Sequence, residues 1–272
     1  MADRLKPEHV EIVDKIRVLE DEIVTAKQRF KKYHNYYAPE ELVKASKRVI
    51  SFGVGGDVTF EKLMCLDNMS LDVRLFDPTP YTKANRNPIL RASGKKYFYN
   101  IENGIKLCRK IGNNNLKYKP IGYSPTNGKQ KFYYSPQKNV NGHVLRLENQ
   151  WKSFSAFNPD GSRLSTEVEF QNLKTIMDNL GWESVDILKT DIEGYWYDFA
   201  NELLKEKIDF KYWVTEIELG LNGSYEENFK QIREISEKMK DKYQIVINRK
   251  RLKPMLELGF LKKWKYKFSV EP

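Results

Sequence analysis

The sequence predicts an α/β domain built on a mostly parallel sheet. Three observations carry that expectation. Short apolar runs of strand length alternate with helix-length segments along most of the chain. The first run ends in a glycine-rich turn, Ser51-Phe52-Gly53-Val54-Gly55-Gly56-Asp57. Later runs end in acidic residues, and ligands of open α/β sheets bind outside the carboxyl ends of strands.

Composition sets the outer bounds. The chain has 272 residues, 40% of them hydrophobic, enough for one large core or two small ones. Lys and Arg number 47 against 37 Asp and Glu, a net charge of +10 that favours acidic partners without choosing among phosphate, glycan, nucleic acid and headgroups. No run approaches the ~18–20 apolar residues of a membrane span. The N-terminus lacks the apolar core of a secretory signal. The only cysteines are Cys65 and Cys108, which exclude a disulfide framework and a Cys-rich zinc site. A cytoplasmic location is expected. Any histidine base is restricted to His9, His34 or His143.

Residues 7–33 read as one helix. Pro7 suits its first position, and Ile12, Ile16, Leu19, Ile23, Ala26 and Phe30 form one apolar stripe. The stripe either packs on its own domain or joins two copies in a homodimer. Residues 1–46 are thus expected to be an N-terminal helical extension, with His34 to Pro39 as connector. A domain at 47–272 follows. Its expected strands are Arg48 to Phe52, Leu71 to Asp77, Lys117 to Tyr123, Val185 to Lys189, Lys211 to Ile217, Gln244 to Asn248 and Trp264 to Val270. Helices are expected at 59–67, 101–111, 166–181, 195–206 and 224–241. Residues 124–165, rich in Gly, Pro, Asn, Ser and aromatics, read as an insertion with strand content near 130–135 and 144–155.

The glycine turn needs small residues because the backbone bends sharply and a ligand must come close. The next strand ends in Asp77, about 20 residues on, where a carboxylate can accept hydrogen bonds from ribose hydroxyls. The turn lacks the third glycine of a dinucleotide fingerprint, and no Gly-Lys-Ser/Thr follows for a Walker loop. Asp57 is a poor neighbour for pyrophosphate and a good one for an ammonium group. S-adenosylmethionine has a ribose, a sulfonium and an amino acid and no phosphate, so the acid pair Asp57 and Asp77 favours it over NAD. A purely structural turn is the alternative.

The fourth strand runs into Lys189-Thr190-Asp191-Ile192-Glu193-Gly194. Lys189, Asp191 and Glu193 alternate, so in extended chain they share one face. An acid there can position a hydroxyl or take its proton, and Glu193 could equally cap the next helix. Glu216 and Glu218 lie at period two on the fifth strand. They suit a base or, as hard oxygen ligands, a divalent cation.

In these segments the sequence resembles the FkbM-type family of S-adenosylmethionine-dependent methyltransferases. The features are Val49 to Asp57, Leu75-Phe76-Asp77-Pro78-Thr79-Pro80, and Val185 to Gly194, the last being the most specific. The resemblance spans roughly residues 47–220. It implies a class I methyltransferase fold, Rossmann-like, with a seven-stranded sheet between helices and an antiparallel final strand. It also implies O-methyl transfer to sugars, polyketides or other hydroxylated small molecules. Carried over by position, Gly53, Gly55 and Asp57, with Val54 and Gly56 in the same turn, line the cofactor's methionine end. Asp77, followed by Pro78, takes the ribose. Lys189, Asp191 and Glu193 border the transferring methyl. This chain carries Asp77 where members often have Glu, and Glu218 where they often have His.

The expected function is therefore methylation of a sugar or glycan hydroxyl. Asp191 or Glu193 is the expected base, with Glu218 as third candidate and Lys189 orienting the acceptor. Tyr133, Tyr134 or Trp151 could pack on sugar faces, and the basic runs at 249–253 and 262–267 could receive an anionic acceptor. The rivals are RNA methylation and a non-catalytic cofactor-binding assembly module. The fourth strand lacks the Asp/Asn-Pro-Pro-aromatic end that flanks an exocyclic amine in many base N-methyltransferases, so nucleic acid is the less favoured acceptor.

Overall fold

The structure is a computed structural model that describes residues 15–16, 18–19, 30–55, 57–78, 105–110, 112–134, 139–140, 143–144, 154–155, 164–192, 194–221, 223–248 and 255–263. In chain order its elements are β1 (Lys31–Tyr33), β2 (Tyr36–Ala38), α1 (Glu40–Ala45), β3 (Arg48–Phe52), α2 (Thr59–Asp67), β4 (Asp72–Phe76), β5 (Leu116–Lys119), β6 (Ile121–Tyr123), β7 (Gly128–Tyr134), β8 (Asn139–Val140), β9 (His143–Val144), β10 (Phe154–Ser155), β11 (Leu164–Gln171), α3 (Leu173–Leu180), β12 (Ser184–Thr190), α4 (Trp196–Lys205), β13 (Asp209–Glu218), α5 (Tyr225–Met239), β14 (Tyr243–Asn248) and β15 (Met255–Lys262). Residues 105–110 are also helical.

Seven strands form the central sheet in the order β14-β15-β13-β12-β3-β4-β5. The pairs β13–β12, β12–β3, β3–β4 and β4–β5 are parallel. β15 is antiparallel to both its neighbours, so the parallel character ends at β13. The chain leaves β3 for β4 and β5 on one side, then returns to β12 on the other. This reversal makes the β3/β12 junction the switch point of the sheet, the place where a crevice opens.

Each face of the sheet carries its own core. Val49, Val73, Leu75, Ile187, Tyr212 and Val214 pack under α1, α2 and the β1–β2 hairpin through Leu42, Val43, Phe60, Met64 and Tyr36. Ile50, Phe52, Leu188, Trp213 and Phe260 pack under α3, α4 and α5. Period-two alternation along buried strands assigns neighbours to opposite faces. The helices begin where side chains satisfy free N–H groups. Asn172 accepts from Thr175 N–H at α3, and Ser224 from Glu227 N–H at α5.

Several expectations are corrected. The N-terminal extension is not wholly helical, because residues 31–38 form an antiparallel hairpin where a helix end and a connector were expected. Of the N-terminal stripe, Ile16, Leu19 and Phe30 are described. Ile16 and Leu19 are buried in the α3–α5 core, Phe30 packs on the other face against Tyr212, and Lys15 Nζ lies 3.0 Å from Glu226 of α5. The expected strand Lys117–Tyr123 divides at Pro120 into β5 and β6, which belong to different sheets. Residues 164–171 are strand rather than helix. Thr166, Val168 and Phe170 alternate along β11, and all eight residues lie in a four-stranded sheet ordered β10-β7-β11-β6. This sheet organises the insertion, with β8 and β9 as a separate ribbon. The closing strand is Met255–Lys262; the expected strand at 264–270 lies outside the described residues.

Asp186 ties the lower ends of the strands together. Its Oδ2 accepts from the N–H groups of Lys47 (2.7 Å) and Arg48 (2.9 Å), and Lys211 Nζ pairs with Oδ1. Burial would raise its pKa, but Lys211 and the two N–H groups outweigh that and hold it below the usual value. A depressed carboxylate stabilises the fold above its unfolded pKa and loses that contribution as pH falls through its folded value. Asp186→Ala should therefore cost about 2 kcal/mol at pH 7 by urea unfolding, and the difference from wild type should shrink well below pH 4.

Candidate active site

The switch point is laced by main-chain and lysine contacts. Gly53 N–H donates to Phe76 O (2.9 Å), and Asp191 N–H donates to Phe52 O (3.2 Å). Gly53 has φ +65°, and a Cβ there would lie 1.7 Å from the Asp191 carbonyl oxygen. Glycine is required at this crossing of β3 and β12. Lys189 Nζ reaches from β12 under the turn and donates to Gly53 O (2.9 Å) and Phe52 O (3.2 Å).

The second acid braces the turn. Asp77, at the tip of β4, is buried, and its Oδ2 accepts Gly55 N–H at 2.7 Å. Gly55 has φ +52° with open space where a Cβ would stand. A carboxylate held at a strand tip beside an unfilled glycine bend suits a ribose. Pro78, next along, lies against Gly122 of β6. The Val54 side chain is buried in the α2-side core. Asp57 is committed within the protein. It accepts Thr59 N–H at 2.9 Å, starting α2, and His34 Nε2 lies 2.8 Å from its other oxygen. Burial would raise its pKa, but Thr59 and His34 together bring it below the usual value. An incoming ammonium would have to share this carboxylate with His34. Gly56 and Glu193 lie outside the described residues.

At the tip of β12, Asp191 Oδ2 accepts the Tyr36 hydroxyl at 2.8 Å and sits 3.9 Å from Lys189 Nζ. Tyr36 Oη is also 3.5 Å from Glu216 Oε2. Glu216 stands opposite Glu257 in the β13–β15 register, and buried Glu257 accepts Tyr37 N–H at 3.2 Å. Glu218 lies two residues beyond Glu216, opposite Met255. Its Oε2 is buried with no hydrogen-bond partner among the described residues. The structure thus joins Lys189 and Asp191 as the sequence suggests, and Glu216 meets the same Tyr36 hydroxyl that Asp191 holds.

Tyr36 and Glu61 escape sequence reading, which names His34 only as one of three possible histidine bases. Glu61, in the first turn of α2, is fully buried and accepts the Ser51 hydroxyl. Burial raises its pKa, against the pull of Lys189 and Ser51. Its only sequence signal is an acid in an otherwise apolar helix face. Among the described residues no group of three or more His, Cys, Asp or Glu could hold a metal ion, so the divalent-cation expectation finds no ligand set there. Among them, too, no helix is long and apolar enough to cross a membrane. Of the expected sugar-stacking aromatics, Trp151 and the Tyr134 side chain lie outside the described residues.

A seven-stranded sheet with one reversed strand near its edge, and a glycine turn facing an acid at the switch point, define a class I methyltransferase. The Methyltransferase FkbM domain matches residues 72–243, and the chain belongs to that family. No curated protein sequence matches it. Among solved structures it is similar to an O-methyltransferase from Bacillus cereus in complex with SAH (10% identity, 96% of this chain and 94% of that one, TM-score 0.41). It is also similar to cofactor-bound Rv0187 from MTB (8% identity, 93% and 91%, TM-score 0.43) and to the delta-N METTL16 MTase domain (9% identity, 95% and 85%, TM-score 0.39).

Proposed function

We propose that this chain transfers the methyl group of S-adenosylmethionine to a hydroxyl of a sugar or glycan. The observation that carries the cofactor reading is the 2.7 Å bond from Gly55 N–H to Asp77. It sets an acid and a glycine bend side by side, as a ribose requires. The cofactor supplies an electrophilic methyl on a sulfonium. The chain's own part is to hold the acceptor in line and to take up its proton. Asp191 suits the proton because Tyr36 and Lys189 already fix it at the tip of β12; Glu193 and Glu218 are the other candidates. Lys189 also braces the turn through two carbonyls, which leaves it less free to orient an acceptor. Assembly through the N-terminal segment would have to use stripe positions other than Ile16, Leu19 and Phe30, which pack on this chain's own cores.

Labelled S-adenosylmethionine incubated with mono- and oligosaccharides, and separately with RNA, tests the reading. Label should enter a carbohydrate, and the same assay run with and without a chelator reads whether a divalent cation takes part. Label entering RNA alone would overturn the acceptor, and cofactor binding without any transfer would favour the assembly-module reading.

A further inference from the structure

The β1–β2 hairpin lies outside residues 72–243, yet it reaches the centre of the site. Its tip is held on one side by α2 and the turn before it. Tyr33 Oη donates to Asp67 (2.7 Å), Lys31 Nζ pairs with the same carboxylate (2.6 Å), and His34 meets Asp57. On the other side Tyr37 N–H donates to Glu257, and the Tyr212 hydroxyl donates to Tyr37 O at 2.7 Å. Tyr36 is fixed between these anchors. Its ring packs edge-on against Phe60, centroids 5.2 Å apart, and Lys189 Nζ lies 4.9 Å from the ring centroid. Burial, then the charges of Asp191, Glu216 and Glu257, push the phenol well above its ordinary pKa. It therefore keeps its proton and donates it to a carboxylate.

We propose that Tyr36 is a positioning residue: its hydroxyl fixes the Asp191 carboxylate in the one orientation that faces the sulfonium side of the cofactor. The proposal rests on the assignment of Asp191 made above. Lys189 holds this carboxylate only at 3.9 Å, and a rigid donor at 2.8 Å on a doubly anchored hairpin restricts its rotation further.

Titration calorimetry with S-adenosylmethionine and S-adenosylhomocysteine tests it without any acceptor. The two ligands differ by one methyl and one positive charge. The ratio of their affinities therefore reports charge at the reacting centre and cancels general loosening. Asp191→Asn should lower the preference for the charged ligand about tenfold. Tyr36→Phe should lower it about threefold or more, with a melting temperature near wild type, and the double variant should fall no further than Asp191→Asn. Should Tyr36→Phe fail to fold, Asp191→Glu keeps the charge but moves it off the tyrosine, and should lose preference to the same degree.

A Tyr36→Phe or Asp191→Glu protein with the wild-type ratio would overturn the proposal. So would equal losses for both ligands, or losses that add in the double variant. If Asp191→Asn keeps the ratio, Asp191 does not face the sulfonium, and its assignment and the proposal fall together. If the wild type binds neither ligand, the cofactor reading itself is wrong.

Discussion

Gly53→Ala is expected to destabilise the protein by about 4 kcal/mol or more, one of the largest effects of any single substitution here. Two costs combine. A left-handed backbone costs an L-residue about 1–2 kcal/mol. The added methyl would also stand 1.7 Å from the Asp191 carbonyl oxygen, a main-chain atom that cannot swing away. Relief requires β3 and β12 to part at their tips. That strains the Asp191 N–H bond to Phe52 O and the Lys189 bonds to Phe52 O and Gly53 O. Gly55→Ala is the internal control. It shares a positive φ of +52° but meets nothing within 4 Å, so it should cost only the backbone part, about 1–2 kcal/mol. Urea unfolding of the two variants separates the costs; equal destabilisation would mean that the close crossing is not what demands glycine at 53.

Asp77→Ala is expected to weaken cofactor binding at least thirtyfold, about 2 kcal/mol or more. The carboxylate is buried and already accepts Gly55 N–H, so its removal acts twice. It takes away the acceptor that a ribose hydroxyl needs, and it removes the bond from Gly55 N–H that braces the turn. Folding should suffer less than binding. Tyr118 still donates to the residue 77 carbonyl, and residue 77 N–H still meets Lys119 O. Calorimetric titration with S-adenosylhomocysteine, alongside thermal melting, distinguishes the two losses. A variant that binds as tightly as wild type would remove Asp77 from the cofactor site.

Much of the site was legible because its residues lie where chemistry and backbone rules coincide. Val49 and Ile50 read as strand, and Gly53 and Gly55 read as a sharp bend; both have positive φ. Asp77 and Asp191 stood out as acids at strand tips. The hairpin was not legible. Three-residue strands give no measurable period, and the turn uses His34 at φ +58° where glycine would have signalled it. Tyr36 therefore read as part of a connector. β11 misled for a different reason: its Thr166, Val168 and Phe170 alternate, but the helical pattern of α3 follows at once and absorbed them. β15 went unread, its apolar run being interrupted by Gly259. In the fold it makes room for Tyr212, whose hydroxyl would lie 2.9 Å from a Cβ at 259. Such long-range needs leave no local trace in a sequence.

A crystal structure with S-adenosylhomocysteine bound bears most directly on where the adenosyl group is held. The ribose hydroxyls should lie within hydrogen-bond distance of Asp77, with the nucleoside over the Gly53–Gly55 bend and the sulfur end toward Asp191. A ligand seated elsewhere, with its ribose away from Asp77, would contradict the assignment of this crevice and the chemistry built upon it.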